Sequence, residues 1–167
     1  MKQGSESFLE SGQLFPEFAL KDAVGMTHSL SSVVGDAPLV LFALFKTDCP
    51  TSQFSLPYMN NLVKAIPELP FVGISQDEPA ETAEFLENWG IRFSLVLFDQ
   101  DPYELSDSLG ISNVPALFLV ARSGKILESD FGYSADFWER LAQRTAAEFG
   151  RTIGPIIPSD APRWAGG

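Results

Sequence analysis

Leu39 to Phe45 is an unbroken apolar run, the pattern of a strand buried on both faces. Phe71 to Ser75 repeats it, and Ser94 to Phe98 gives a third strand. Between these runs the spacing becomes helical. Phe54, Met59, Leu62 and Ile66 fall at roughly helical intervals and predict a helix over Pro50 to Ile66. Pro79 to Trp89 predicts a second helix, opened by proline in its first turn and closed by Gly90. Tyr103 to Leu109 predicts a short helix stopped by Gly110, and Ala135 to Phe149 an amphipathic one ending at Gly150. Phe18 to Lys21 alternates like a short strand, with a turn beginning at Gly25. Ala116 to Ala121 and Ile126 to Phe131 flank Ser123-Gly124, which reads as a hairpin turn.

Strands alternating with helices call for parallel crossovers, and a late hairpin adds antiparallel pairing. The expected architecture is therefore α/β: a central mixed sheet with helices on both faces. Its body runs over residues 14–150, after an N-terminal extension at 1–13 and before a Pro/Gly-rich tail at 151–167. That tail carries a lone Trp164 and reads as an extended segment or an arm packed on the body.

Composition narrows the function. The chain has 167 residues and a net charge of −11, with one cysteine and one histidine. A single cysteine forbids an internal disulfide, and with one histidine there is no Cys/His metal cluster. An acidic balance argues against nucleic acid, whose phosphates require a basic patch. No apolar stretch reaches the ~18 residues that would span a bilayer. Met1 to Ser11 is polar, carries Glu6 and Glu10, and lacks the apolar core of a signal peptide. A cytoplasmic chain is expected as written, although one cut after a signal would look the same.

The cysteine is placed for chemistry. Cys49 follows the strand Leu39–Phe45 and precedes a Pro-initiated helix. In open α/β sheets sites form at the carboxyl ends of strands, where the next helix offers unpaired N–H groups. Those amides and the helix dipole stabilise a thiolate. The neighbours pull in opposite directions: Lys46 favours a thiolate, Asp48 opposes it, and both read as solvated charges. His28 lies in a polar turn region and is not expected to serve Cys49. Gln76-Asp77-Glu78 and Asp99-Gln100-Asp101 follow strands, and the reading for both is solvated loop ends.

Phe45-Lys46-Thr47-Asp48-Cys49-Pro50-Thr51-Ser52-Gln53 resembles the Cys-x-x-Cys active site of the thioredoxin superfamily. Ser52 stands in the place of the second cysteine. Pro57 matches a proline that kinks the active-site helix there, and Asn113-Val114-Pro115 resembles the segment holding a cis-proline opposite the cysteine. Pro16-x-Phe18-x-Leu20-x-Asp22-x-x-Gly25, through Leu30 and Gly35, is similar to the N-terminal hairpin of redoxin-type members. Those are the TlpA-like thiol-disulfide oxidoreductases and the AhpC/TSA-related peroxiredoxins. The resemblance covers roughly Leu14 to Phe149.

The resemblance implies a thioredoxin-like fold and a thiol-disulfide oxidoreductase with Cys49 as nucleophile. It implies Ser52 beside Cys49, donating a hydrogen bond to the thiolate or serving as a plain helix-turn residue. Thr47, Pro50, Thr51, Val114 and Pro115 are the implied substrate contacts. No cofactor and no metal are implied. The partners are a protein disulfide or a low-molecular-weight thiol, with an external thiol such as glutathione or a thioredoxin to resolve the adduct, because serine cannot. A one-Cys peroxidase is the alternative, although Phe42 and Lys46 stand where peroxiredoxins carry Pro and Thr/Ser. Arg122, beside the hairpin turn, reads as exposed rather than as an activating cation. A non-catalytic binding module on the same fold is the third reading.

Overall fold

The computed structural model describes residues 7–166; residues 1–6, with Glu6, and Gly167 lie outside the description. The chain runs through β1 (Ala19–Lys21), β2 (Thr27–Ser29), α1 (Leu30–Val34), β3 (Leu39–Phe45), α2 (Pro50–Ser55) and α3 (Met59–Ala65). It continues through β4 (Phe71–Ser75), α4 (Pro79–Trp89), β5 (Leu95–Phe98), α5 (Glu104–Leu109), β6 (Ala116–Ala121) and β7 (Ile126–Phe131). The last elements are β8 (Tyr133–Ser134), α6 (Ala135–Glu148) and β9 (Trp164–Ala165).

Seven strands form one mixed sheet in the order β2-β1-β5-β4-β3-β6-β7. β3, β4 and β5 are parallel, and β6 and β7 add antiparallel pairing beside β3. All seven residues of β3 are fully buried. Alternation sends them to opposite sides of the sheet. Leu39, Leu41, Ala43 and Phe45 pack with Leu56, Met59 and Leu62, with Phe85 of α4 and with α6. Val40, Phe42 and Leu44 pack with Phe15, Phe18, Leu30 and Val34, and with Leu105 and Leu109 of α5. The result is a thioredoxin-like α/β fold, with helices on both faces as the pattern predicts.

Two expected helices differ in detail. The helix read over Pro50–Ile66 breaks into α2 and α3 around a 3-10 turn at Leu56–Tyr58. Pro57 has no N–H to return to the Gln53 carbonyl, so the regular ladder stops there. Tyr103 lies just before α5 rather than in it, at φ 57°. β2 and α1 are too short to register as a periodic pattern. Ser29 caps α1 reciprocally with Ser32. One glycine is dictated by packing: a Cβ on Gly73 would sit 2.6 Å from the Phe93 ring.

The tail is an arm on the body. Ile156 and Ile157 are buried in the core on the α6 side, and their N–H groups donate to Glu139 at 3.2 and 2.7 Å. Asn61 donates to the Ile156 carbonyl at 2.8 Å. The Tyr133 hydroxyl donates to Pro162 O at 2.7 Å, and burial raises its phenol above the usual 10. β9 then pairs with β8, leaving Trp164 exposed. Among the described residues, no helix is long and apolar enough to cross a membrane.

Candidate active site

Cys49 caps the N-terminus of α2. Its half-buried sulfur accepts the Ser52 N–H at 3.4 Å, and its S–H donates to the Val114 carbonyl at 3.3 Å. The proline after Val114 follows a cis peptide bond, as does Pro102 after Asp101. Two chain segments separated by 65 positions thus meet at one sulfur. Proline at the first position of α2 costs no hydrogen bond, because that N–H has no intrahelical partner.

Ser52 meets the sulfur through its main chain. Its backbone N–H, not its hydroxyl, is what reaches the sulfur. The hydroxyl is fully buried and has no partner among the described residues. Thr51 is also buried, and its hydroxyl donates to the Gly166 carbonyl, which ties the arm to the first turn of α2.

Thr47 is held from both sides. Its N–H donates to Asp77 Oδ2 at 2.7 Å, and Gln53 Nε2 donates to its carbonyl at 3.1 Å. Asp77 is therefore an anchor of the loop that carries Cys49, not a solvated loop end. Its own N–H donates to Ser75 Oγ at 3.1 Å. Asp99 is likewise no solvated end. It is buried and accepts from Ser106 N at 2.8 Å, Ser106 Oγ at 2.6 Å and Leu105 N at 3.3 Å. It caps α5 from outside the helix and so satisfies its charge. Gln76 Nε2 donates to that same Ser106 hydroxyl at 2.7 Å. The Thr47–Asp77 and Gln76–Ser106 ties each join positions thirty residues apart, and no local spacing announces them.

His28 and Arg122 separate from the site. His28 is bonded to Asp22 at 2.9 Å, and this hydrogen bond holds the Asp22 carboxyl below its ordinary 3.8. Arg122 is exposed and donates to the carbonyls of Ala37 and Asp36. Lys46, Pro50 and Asp48 are exposed, while Val114 and Pro115 are buried.

A cavity of about 340 Å³ opens at Cys49, between Pro50 and the Ile111–Val114 segment, with Lys46 and Gln76 on its rim. A larger groove of about 640 Å³ lies between β1 and the residues around α5, and shares no lining residue with it. That groove has no thiol, and its buried carboxylate, Asp99, already accepts three hydrogen bonds.

The sheet order and a cysteine facing Val114-Pro115 define a thioredoxin-like protein, and solved structures agree. The chain is similar to a proposed thiol:disulfide interchange protein DsbE from Chlorobium tepidum, at 26% identity and a TM-score of 0.73, covering 85% of this chain and 99% of that one. It is similar to the thioredoxin domain of a thiol-disulfide oxidoreductase from Bacteroides vulgatus, at 21% identity and 0.69, covering 80% and 96%. DsbF of MTB, solved in mixed oxidized and reduced forms, matches at 23% and 0.67, covering 84% and 99%. Residues 11–129 match the AhpC/TSA family, and the chain belongs to that family. No curated protein matches it.

Proposed function

We propose that the protein is a thiol-disulfide oxidoreductase that works through Cys49 alone and takes its resolving thiol from outside. The observation that carries this reading is the Cys49 sulfur, held between the Ser52 N–H and the Val114 carbonyl at the mouth of a cavity. Family membership and the interchange protein of Chlorobium tepidum support it.

The thiolate attacks one sulfur of a disulfide, a new bond forms to Cys49, and the other sulfur leaves as thiolate. An external thiol then attacks the mixed disulfide and returns Cys49 to its starting state. The N–H at the start of α2 favours the anionic sulfur. Once ionised, Cys49 has no proton to give Val114 and accepts more strongly. The unspent hydroxyl of Ser52, one turn on, is the donor at hand. Pro50 and Val114 wall the substrate, Thr47 and Pro115 shape the backbone around it, and Thr51 holds the arm.

Mass spectrometry after separate treatment with oxidised glutathione and with peroxide tests the reading. The expected product is a mixed disulfide on Cys49, released by added thiol and missing in Cys49→Ala. Oxygen adducts without mixed disulfide would make the protein a peroxidase, and an inert thiol would leave a binding module.

A further inference from the structure

We propose that the cavity beside Cys49 seats a low-molecular-weight thiol bearing carboxylates, so that the adduct formed on Cys49 is with a small anionic thiol rather than with a protein. This rests on the reading of Cys49 as nucleophile. The volume of about 340 Å³ falls within the range of roughly 300–1,000 Å³ usual for small-molecule sites.

The lining sets the chemistry. Lys46 is its only charged side chain, and Gln76, Ser112 and Asn113 supply neutral hydrogen-bonding groups around the apolar Pro50 and Ile111. In a chain with 22 acidic and 11 basic residues, a lining with one cation and no anion reverses the sign of the whole. Of the neighbouring acids, Asp77 is engaged on the Thr47 N–H and Asp99 on Ser106, while Asp48, exposed beside Cys49 in the chain, stays out of the lining. Gln76 is itself held by the Ser106 hydroxyl, which donates to Asp99. A pre-positioned amide, a hydroxyl and an ammonium group suit the carboxylates and amides of a small peptide-like thiol.

The surroundings disfavour a broad protein contact. Protein interfaces centre on apolar and aromatic groups depleted in charge, and no aromatic residue lines this cavity. The tie from Thr51 to Gly166 holds the arm against the first turn of α2, close to Cys49 in the chain.

The cycle balances with one co-reactant. Cys49 thiolate attacks the small-thiol sulfur of a mixed disulfide R′–S–S–R, forming Cys49–S–S–R and releasing R′–S⁻, which takes up a proton. One molecule of free R–SH, as thiolate, attacks the R sulfur, releasing Cys49 thiolate and R–S–S–R. R′ leaves as its thiol, and one free R–SH is oxidised as it joins the R sulfur already at the disulfide level.

The test measures rates of mixed-disulfide formation on Cys49 with oxidised glutathione (anionic), hydroxyethyl disulfide (neutral) and cystamine (cationic). Each is divided by the rate of 2-mercaptoethanol with the same disulfide. The expected order is oxidised glutathione, then hydroxyethyl disulfide, then cystamine. Lys46→Gln should lower the ratio of the first rate to the second about fivefold, the scale of one partly screened charge pair, and Lys46→Arg should restore it. A flat or reversed order, a ratio unmoved in Lys46→Gln, or faster reaction with an unfolded disulfide-bonded protein would overturn the inference while leaving Cys49 a nucleophile. Adducts with none of the disulfides would overturn both readings.

Discussion

The Ser52 hydroxyl is buried without a partner, an arrangement that costs a folded chain on the order of 1–3 kcal/mol. A donor kept idle one turn from a thiol makes sense if the thiolate uses it. Ser52→Ala is therefore expected to act in two directions. Urea denaturation should show a gain of about 1 kcal/mol in stability, and alkylation of Cys49 should slow on the order of fivefold, the worth of one hydrogen bond. A variant that loses stability and keeps its alkylation rate would make the hydroxyl purely structural. At this scale Cys49, Ser52 and Pro115 were legible, because a helix start and a short motif are local in sequence. Asp77 was not. Its value lies in a 2.7 Å bond to a backbone N–H thirty residues earlier, which no residue-type pattern encodes.

Among the elements, the hydrophobic runs predicted β3, β4, β6 and β7 because strands covered on both faces, or paired in a tight hairpin, leave a strong signal. The helix over Pro50–Ile66 was read too long, since Leu62 and Ile66 keep helical spacing across the break at Pro57. The arm was the least legible part. Proline and glycine marked it as irregular, but only folding reveals that Ile156 and Ile157 enter the core and that Glu139 receives their N–H groups. Its anchoring predicts that Ile157→Ala destabilises the whole molecule by about 2–4 kcal/mol, measured as a shift in urea midpoint. A loss under about 0.5 kcal/mol, the range of an ordinary surface change, would show the arm to be loosely laid on the body.

For the whole molecule, the acid limb of stability follows from carboxylates with basic partners, one half-buried and one exposed. The hydrogen bond from His28 is the main cause lowering Asp22, and that from Arg151 the main cause lowering Glu68, whose ordinary value is 4.5. A carboxyl depressed in the folded state stabilises above its unfolded value and loses that contribution as pH falls through the folded one. Urea midpoints should therefore fall between about pH 6 and about pH 3, less steeply in the Asp22→Asn, Glu68→Gln double variant. The Glu68–Arg151 pair is exposed and the Asp22–His28 pair half-buried, so salt near ~1 M should shrink the difference chiefly through Glu68. Equal slopes for the two proteins would place the acid sensitivity elsewhere. The sheet is also a partition. On one side lie α2 and the arm, on the other α5, whose Ser106 steadies Gln76. The cavity at Cys49 opens above the dividing edge and takes one jaw from each side. Because the two cores share no side chain, a lineage could reshape the Ile111–Val114 jaw by drift in its own core while the jaw carrying Lys46 and Cys49 stayed put. The shape of the accepted substrate can thus change apart from the thiol chemistry, whereas its charge is inherited with the nucleophile.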